Sequence, residues 1–264
     1  MKRLPNASAA DWLLAGLVPH GDAGPPYIIS TCAQLIPPIY DAYAMIFHGI
    51  EAEIAPRHEG HSWASWERDQ PHEPGTPPLI AMLRDTSTLV RGGGAPQGET
   101  RRVLWRELAA SLGLRFSPQL SDRELTKGFG GSWPRHFFGP AEGRLDAVQL
   151  AALAAILSRH SAAPDVLFRY WWLAAGAFDP ALDLVFQGPI LDIATLHEEP
   201  HLMRCTPSHW FPADRAWCVA SDYDCSFTLV GGTRALFADL LAHPVLEALP
   251  LRQDEPIFPP RELG

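Results

Sequence analysis

Apolar residues in this chain fall into short runs separated by proline, glycine and acidic clusters, and the spacing inside each run predicts its element. Residues 11–17, Asp-Trp-Leu-Leu-Ala-Gly-Leu, read as a short helix that Ser8 or Asn6 is placed to cap and that Pro19 and Gly21 end. Residues 27–36 are rich in β-branched side chains and stop at Pro37-Pro38, and residues 40–50 are apolar enough to be either extended or a buried helix. From Glu99 the positions Val103, Leu104, Leu108 and Leu112 recur at three and four residues up to Gly113, which predicts a helix with Trp105 beside its apolar stripe. A clearer helix follows Gly143, with Asp146 in its first turn and Leu150, Leu153, Ala154 and Leu157 on one face.

The pattern changes after Pro164. Residues 166–175 and 182–187 are apolar runs, as expected of strands in a sheet that is largely covered. Residues 216–220 and 226–230 are two more, and the tetrad Ser221-Asp222-Tyr223-Asp224 between them makes a candidate hairpin. A last helix starts at Gly232-Thr233 and carries Leu236, Phe237, Leu240 and Leu241 on one face until Pro244. These elements predict an α+β fold, a single domain over residues 1–264 with a mixed or mainly antiparallel sheet covered by several helices. Residues 55–100, where Pro, Gly, His and charged side chains accumulate, read as an insertion or long loop within it, with a short element at 79–83.

Composition narrows the partners. With 21 Lys and Arg against 30 Asp and Glu the net charge is −9, which repels phosphate backbones and anionic lipid, so neither nucleic acid nor a membrane surface is an expected partner. The N-terminal apolar stretch is broken by Asp11, Pro19, His20 and Asp22, no run approaches the ~20 apolar residues of a membrane span, and the four cysteines contain no CxxC pair. Together these point to a cytoplasmic protein with reduced thiols.

Residues 206–232 are the densest part of the chain, and here a resemblance is visible. A Pro-flanked Trp210-Phe211-Pro212, then Asp214-Arg215-Ala216-Trp217-Cys218-Val219-Ala220, an acidic turn and Thr228-Leu229-Val230-Gly231-Gly232 resemble an uncharacterised family of cytosolic proteins from actinobacteria and other GC-rich bacteria. Phe186-Gln187-Gly188-Pro189, Glu142-Gly143-Arg144-Leu145 and Asp41-Ala42-Tyr43-Ala44 add to it, while the 55–100 segment departs from it. The resemblance implies one domain and carries no activity.

Candidate chemistry gathers in the same segment. Asp222 and Asp224 form an Asp-x-Asp that supplies hard oxygen ligands, although a solvated hairpin turn whose carboxylates bond their own backbone is the simpler account. Asp214-Arg215 reads as a structural ion pair or as an anion-reading arginine, and Gly231-Gly232-Thr233 as a strand-to-helix turn. His209 beside these groups completes the candidate catalytic set of His209, Asp214, Arg215, Asp222 and Asp224. His58, His61 and His72 with Glu59 and Glu73 are the one histidine cluster, in a spacing that is no metal-site signature, so neither a metal nor a cofactor is expected. No GxSxG, GxGxxG or phosphate-loop pattern occurs.

Nine tryptophans are the compositional outlier. Most serve packing, but Trp210 and Phe211 on a Pro-bounded loop, with Trp217, read as binding anchors. The sequence thus points first to a protein-binding module, such as a stand-alone inhibitor or immunity-type protein, or to a homo-oligomer. The alternative is a small-molecule hydrolase or metal-assisted enzyme with its site at residues 206–232.

Overall fold

The computed structural model describes residues 1–19, 31–56, 60–68, 96, 98–171, 183–197, 202 and 205–257. Its strands are β1 (Lys2–Arg3), β2 (Ala42–Phe47), β3 (Ile50–Glu53), β4 (Thr100–Val103), β5 (Phe137–Phe138), β6 (Val166–Tyr170), β7 (Leu184–Gly188), β8 (His209–Pro212), β9 (Cys218–Ala220), β10 (Phe227–Gly232) and β11 (Ala248–Leu251). Its α-helices are α1 (Asp11–Gly16), α2 (Trp63–Arg68), α3 (Trp105–Ser111), α4 (Asp122–Gly128), α5 (Ala147–Leu157), α6 (Ala194–His197) and α7 (Arg234–Ala242). The fold is α+β, as the sequence pattern predicts. The chain forms two compact units, Met1–His48 with Glu142–Gly264, and Gly49–Ala141.

The first unit is built on an eight-stranded antiparallel sheet in the order β1-β7-β6-β8-β9-β10-β2-β11. Side chains alternate between its faces, so the register divides them. Ala44, Ile46, Phe168, Trp210, Val219 and Val230 share one face with Leu150 and Leu153 of α5 and Leu236 and Leu240 of α7. Tyr43, Met45, Phe211, Cys218 and Leu229 face the other way, all of them buried. There Trp12 of α1 meets Phe211 edge-on at 5.0 Å, and a 3-10 turn, Cys32–Gln34, precedes the buried Ile36. Covering both faces explains the unbroken apolar runs: β8, β9 and β10 are buried at every position.

The helix boundaries follow local chemistry. The Asp146 carboxylate accepts from Gln149 N at 2.8 Å and starts α5, and Thr233 Oγ1 accepts from Leu236 N at 3.2 Å and starts α7. Neither Ser8 nor Asn6 caps α1, whose N-cap is Ala10 with no side-chain hydrogen bond; Asn6 Oδ1 instead accepts from Ser8 N just before a 3-10 turn, Ser8–Ala10, that runs into the helix. Residues 40–50 resolve as the strand β2.

Both sheet edges are blunted. β1 is two residues long and charged, and β11 carries Pro250, so neither edge is a template for adding a strand.

The second unit holds a three-stranded sheet, β4-β3-β5, with α2, α3 and α4. The helix expected from Glu99 instead begins at Trp105. Residues 100–103 pair antiparallel with β3, Arg102 opposite Glu51, and Thr100 Oγ1 donates to Glu51 Oε2 at 3.0 Å. Cross-strand pairing of Thr100 and Val103 overrides a weak helical period. Much of the 55–100 segment, including the element expected at 79–83, lies outside the described residues; within it the structure places α2.

Candidate functional site

His209 sits in β8 on the face away from α5 and α7, at the centre of a buried polar chain. Its Nε2 donates to Leu35 O at 2.9 Å, which leaves Nδ1 to accept from Arg169 Nη1 at 2.9 Å. Arg169 in turn donates through Nε to Asp183 Oδ2 at 2.8 Å and pairs with the same oxygen through Nη2. Burial first, and then the Arg169 charge, push the His209 pKa down to about 3, so the imidazole is neutral at physiological pH. A neutral histidine with both nitrogens engaged is a structural strut.

Asp214 and Arg215 lie in the connection between β8 and β9. The Asp214 carboxylate accepts from Ser161 Oγ, Ala162 N and Ala216 N. Desolvation alone raises its pKa, but these hydrogen bonds outweigh it and the net shift is downward. Arg215 has a left-handed backbone (φ 55°), and its guanidinium lies 4.5 Å from the ring centroid of Trp12. Asp222 and Asp224 occupy the β9–β10 turn, at the opposite end of β9. Asp222 Oδ1 accepts from Asp224 N at 2.9 Å, and burial raises the Asp222 pKa against that hydrogen bond. The five candidate catalytic residues are therefore spread over one sheet face and both ends of β9. No three His, Cys, Asp or Glu side chains among the described residues are arranged to hold a metal ion. The four cysteines are buried and form no disulfide, and burial pushes the Cys32 thiol up to about 12.

The aromatic anchors need a correction. Trp210-Phe211-Pro212 is not a loop but part of β8, where Phe168 pairs with Trp210 and Leu167 with Phe211. Trp210, Phe211 and Trp217 are 0%, 1% and 0% exposed, so none reaches the surface. Pro212 lies at the strand's end, where its missing N–H costs little, and the proline pair that suggested a loop only bounds a short strand. Trp210 and Trp217 stack edge to face at 6.0 Å in the helix-side core.

Two features escaped the sequence reading. The first is a buried relay, in which His48 Nε2 meets Thr228 Oγ1 at 3.0 Å and Thr228 Oγ1 meets Ser221 Oγ at 2.7 Å. It ties the ends of β2, β9 and β10 together, and with Ser221 only 3% exposed it offers no nucleophile to a substrate. His48 and Thr228 stand 180 residues apart, so no local motif announces the pair.

The second is a cleft of about 210 Å³ between α5 and the 190–197 segment, which comprises a 3-10 turn (Ile190–Ile193) and α6. Ala147, Leu150, Ala151 and Ala154 form one wall and Leu191, Ile193 and Ala194 the other, with Arg144 and His197 at the margin. α5 has no charged residue between Ala147 and Leu157, and its one polar side chain, Gln149, points inward to donate to Phe47 O at 2.8 Å. A helix apolar on every side is normally covered. Here Val148 is 59% exposed and Leu191 64%. The composition of α5 is the available signal: its apolar period predicts a core stripe, and the absence of a polar face opposite that stripe points to a second contact.

No family model, curated protein or solved structure matches the chain. No helix among the described residues is long and apolar enough to cross a membrane.

Proposed function

We propose that this chain is a cytoplasmic protein-binding module whose contact surface is the cleft between α5 and the 190–197 segment. The observation that carries this reading is an apolar hollow lined by the exposed Leu191 of the 3-10 turn and by α5, a helix that lacks a charged face and leaves Val148 exposed. At about 210 Å³ the hollow is smaller than the ~300 Å³ at which small-molecule sites begin, and it suits a single inserted side chain. Burying a Val or Leu side chain on docking contributes about 1.5–3 kcal/mol. The blunted sheet edges favour a helical face over strand addition as the docking mode.

The enzyme alternative, a hydrolase or metal-assisted site at 206–232, draws no support from the positions of His209, Asp214, Arg215, Asp222 and Asp224, because His209 is a buried strut with both nitrogens engaged and the other four lie at opposite ends of β9. The test is a photo-crosslinking residue at position 191 in the full chain, activated in native cells. One specific protein adduct, lost when Ala151→Phe fills the cleft while Tm is unchanged, supports the module. Absence of an adduct, or one indifferent to Ala151→Phe, overturns it.

A further inference from the structure

The cleft has a chemical asymmetry that describes its occupant. Its walls are aliphatic, and the described residues that line it include Arg144 but no Asp or Glu. Arg144 is half-buried, and no ion pair or hydrogen bond engages its guanidinium among the described residues. A guanidinium held at the margin of an apolar hollow, partly shielded from water and with no counter-charge paired to it among the described residues, gains most from a carboxylate that can take two of its N–H groups at once. The net charge of −9 does not oppose such a contact, since repulsion from the rest of the surface is screened beyond about 8 Å at physiological salt.

We infer that the cleft takes one aliphatic side chain of a partner protein whose neighbouring residue is Asp or Glu, with the side chain seated between Ala151 and Leu191 and the carboxylate closing on Arg144. This rests on the protein-binding reading above and adds the chemistry of the partner.

The experiment uses the full chain labelled with ¹⁵N and three blocked peptides: acetyl-Gly-Leu-Glu-Gly-amide, its Gln analogue in place of Glu, and its Ala analogue in place of Leu. With the Leu-Glu peptide, amide shifts are expected at Arg144, Ala151 and Leu191, with a Kd of about 1 mM. The Gln analogue should bind roughly fivefold more weakly, and the Ala analogue should give no shifts. Arg144→Gln should erase the preference for Glu over Gln and leave the dependence on Leu intact. Equal affinity for the Glu and Gln peptides overturns the acidic-partner inference while leaving the binding module standing. No shift at these three residues with any peptide at about 10 mM overturns the inference outright, and the crosslinking experiment then decides the module separately.

Discussion

Gly143 lies against Tyr223 so closely that a Cβ added to it would sit 2.6 Å from the Tyr223 Cα. Its φ is +61°, its N–H donates to Cys225 O at 2.8 Å, and its carbonyl accepts from Thr206 N at 2.8 Å. Three segments of the sheet's end converge there. Gly143→Ala meets both a left-handed backbone and a backbone clash that no rotamer relieves, and should cost at least about 3 kcal/mol of stability. Chemical denaturation measures it; a loss below about 1 kcal/mol would mean the turn has room to move.

His209 makes stability pH-dependent in a defined direction. Its pKa falls from 6.5 in the unfolded chain to about 3 in the fold, so the stabilisation is complete above pH 6.5 and is lost as pH drops from there towards 3. At pH 5 the loss is about 2 kcal/mol, the unfolded state alone having taken up the proton. His209→Gln should flatten the slope of stability between pH 5 and 7 relative to wild type, whatever its own baseline. Parallel slopes for the two proteins would show that the imidazole is not held neutral.

The Arg169–Asp183 pair is nearly inaccessible, its side chains 6% and 11% exposed. Asp183→Asn leaves the guanidinium buried without a counter-charge, and a loss of about 3–5 kcal/mol is expected. Arg169→Met combined with Asp183→Leu should cost clearly less than the sum of the single variants, because the double variant strands no charge. Additive losses in a double-mutant cycle would remove the electrostatic account.

Asp222 behaves in the opposite sense to an ordinary surface carboxylate. Burial raises its pKa, so the fold prefers it protonated, and stability falls as pH rises from 3.8 through the raised native value. Asp222→Asn keeps an oxygen to accept from Asp224 N and has no charge to desolvate. Its Tm should exceed that of wild type at pH 7, and the gap should close below pH 3.8. A lower Tm at pH 7 would show that the carboxylate is doing something a carboxamide cannot.

The hairpin, the capped helices α5 and α7 and the antiparallel sheet were legible because each rests on neighbours in sequence: Asp146 and Gln149, Thr233 and Leu236, two apolar runs around an acidic turn. What the sequence hid depends on partners far away. The strand Thr100–Val103 reads as helix until β3 is seen beside it. His209 looks like a free imidazole in a catalytic neighbourhood until Arg169 and Leu35 close on it. Trp210 and Phe211 look like loop anchors because prolines bracket them, and only pairing with β6 puts them inside. The cleft is the reverse case, since every residue of α5 is the kind that belongs in a core, and only the fold reveals that nothing among the described residues covers Val148.

Strand β2 stands between β10 and β11, and its register sets Phe47 opposite Phe227. At synthesis rates of 5–20 residues per second, roughly 10–40 s pass between the appearance of one and the other. For that interval Ala-Tyr-Ala-Met-Ile-Phe is an uncharged, β-prone segment whose native partner strand the ribosome has not yet made, the kind of exposed stretch that favours aggregation during synthesis.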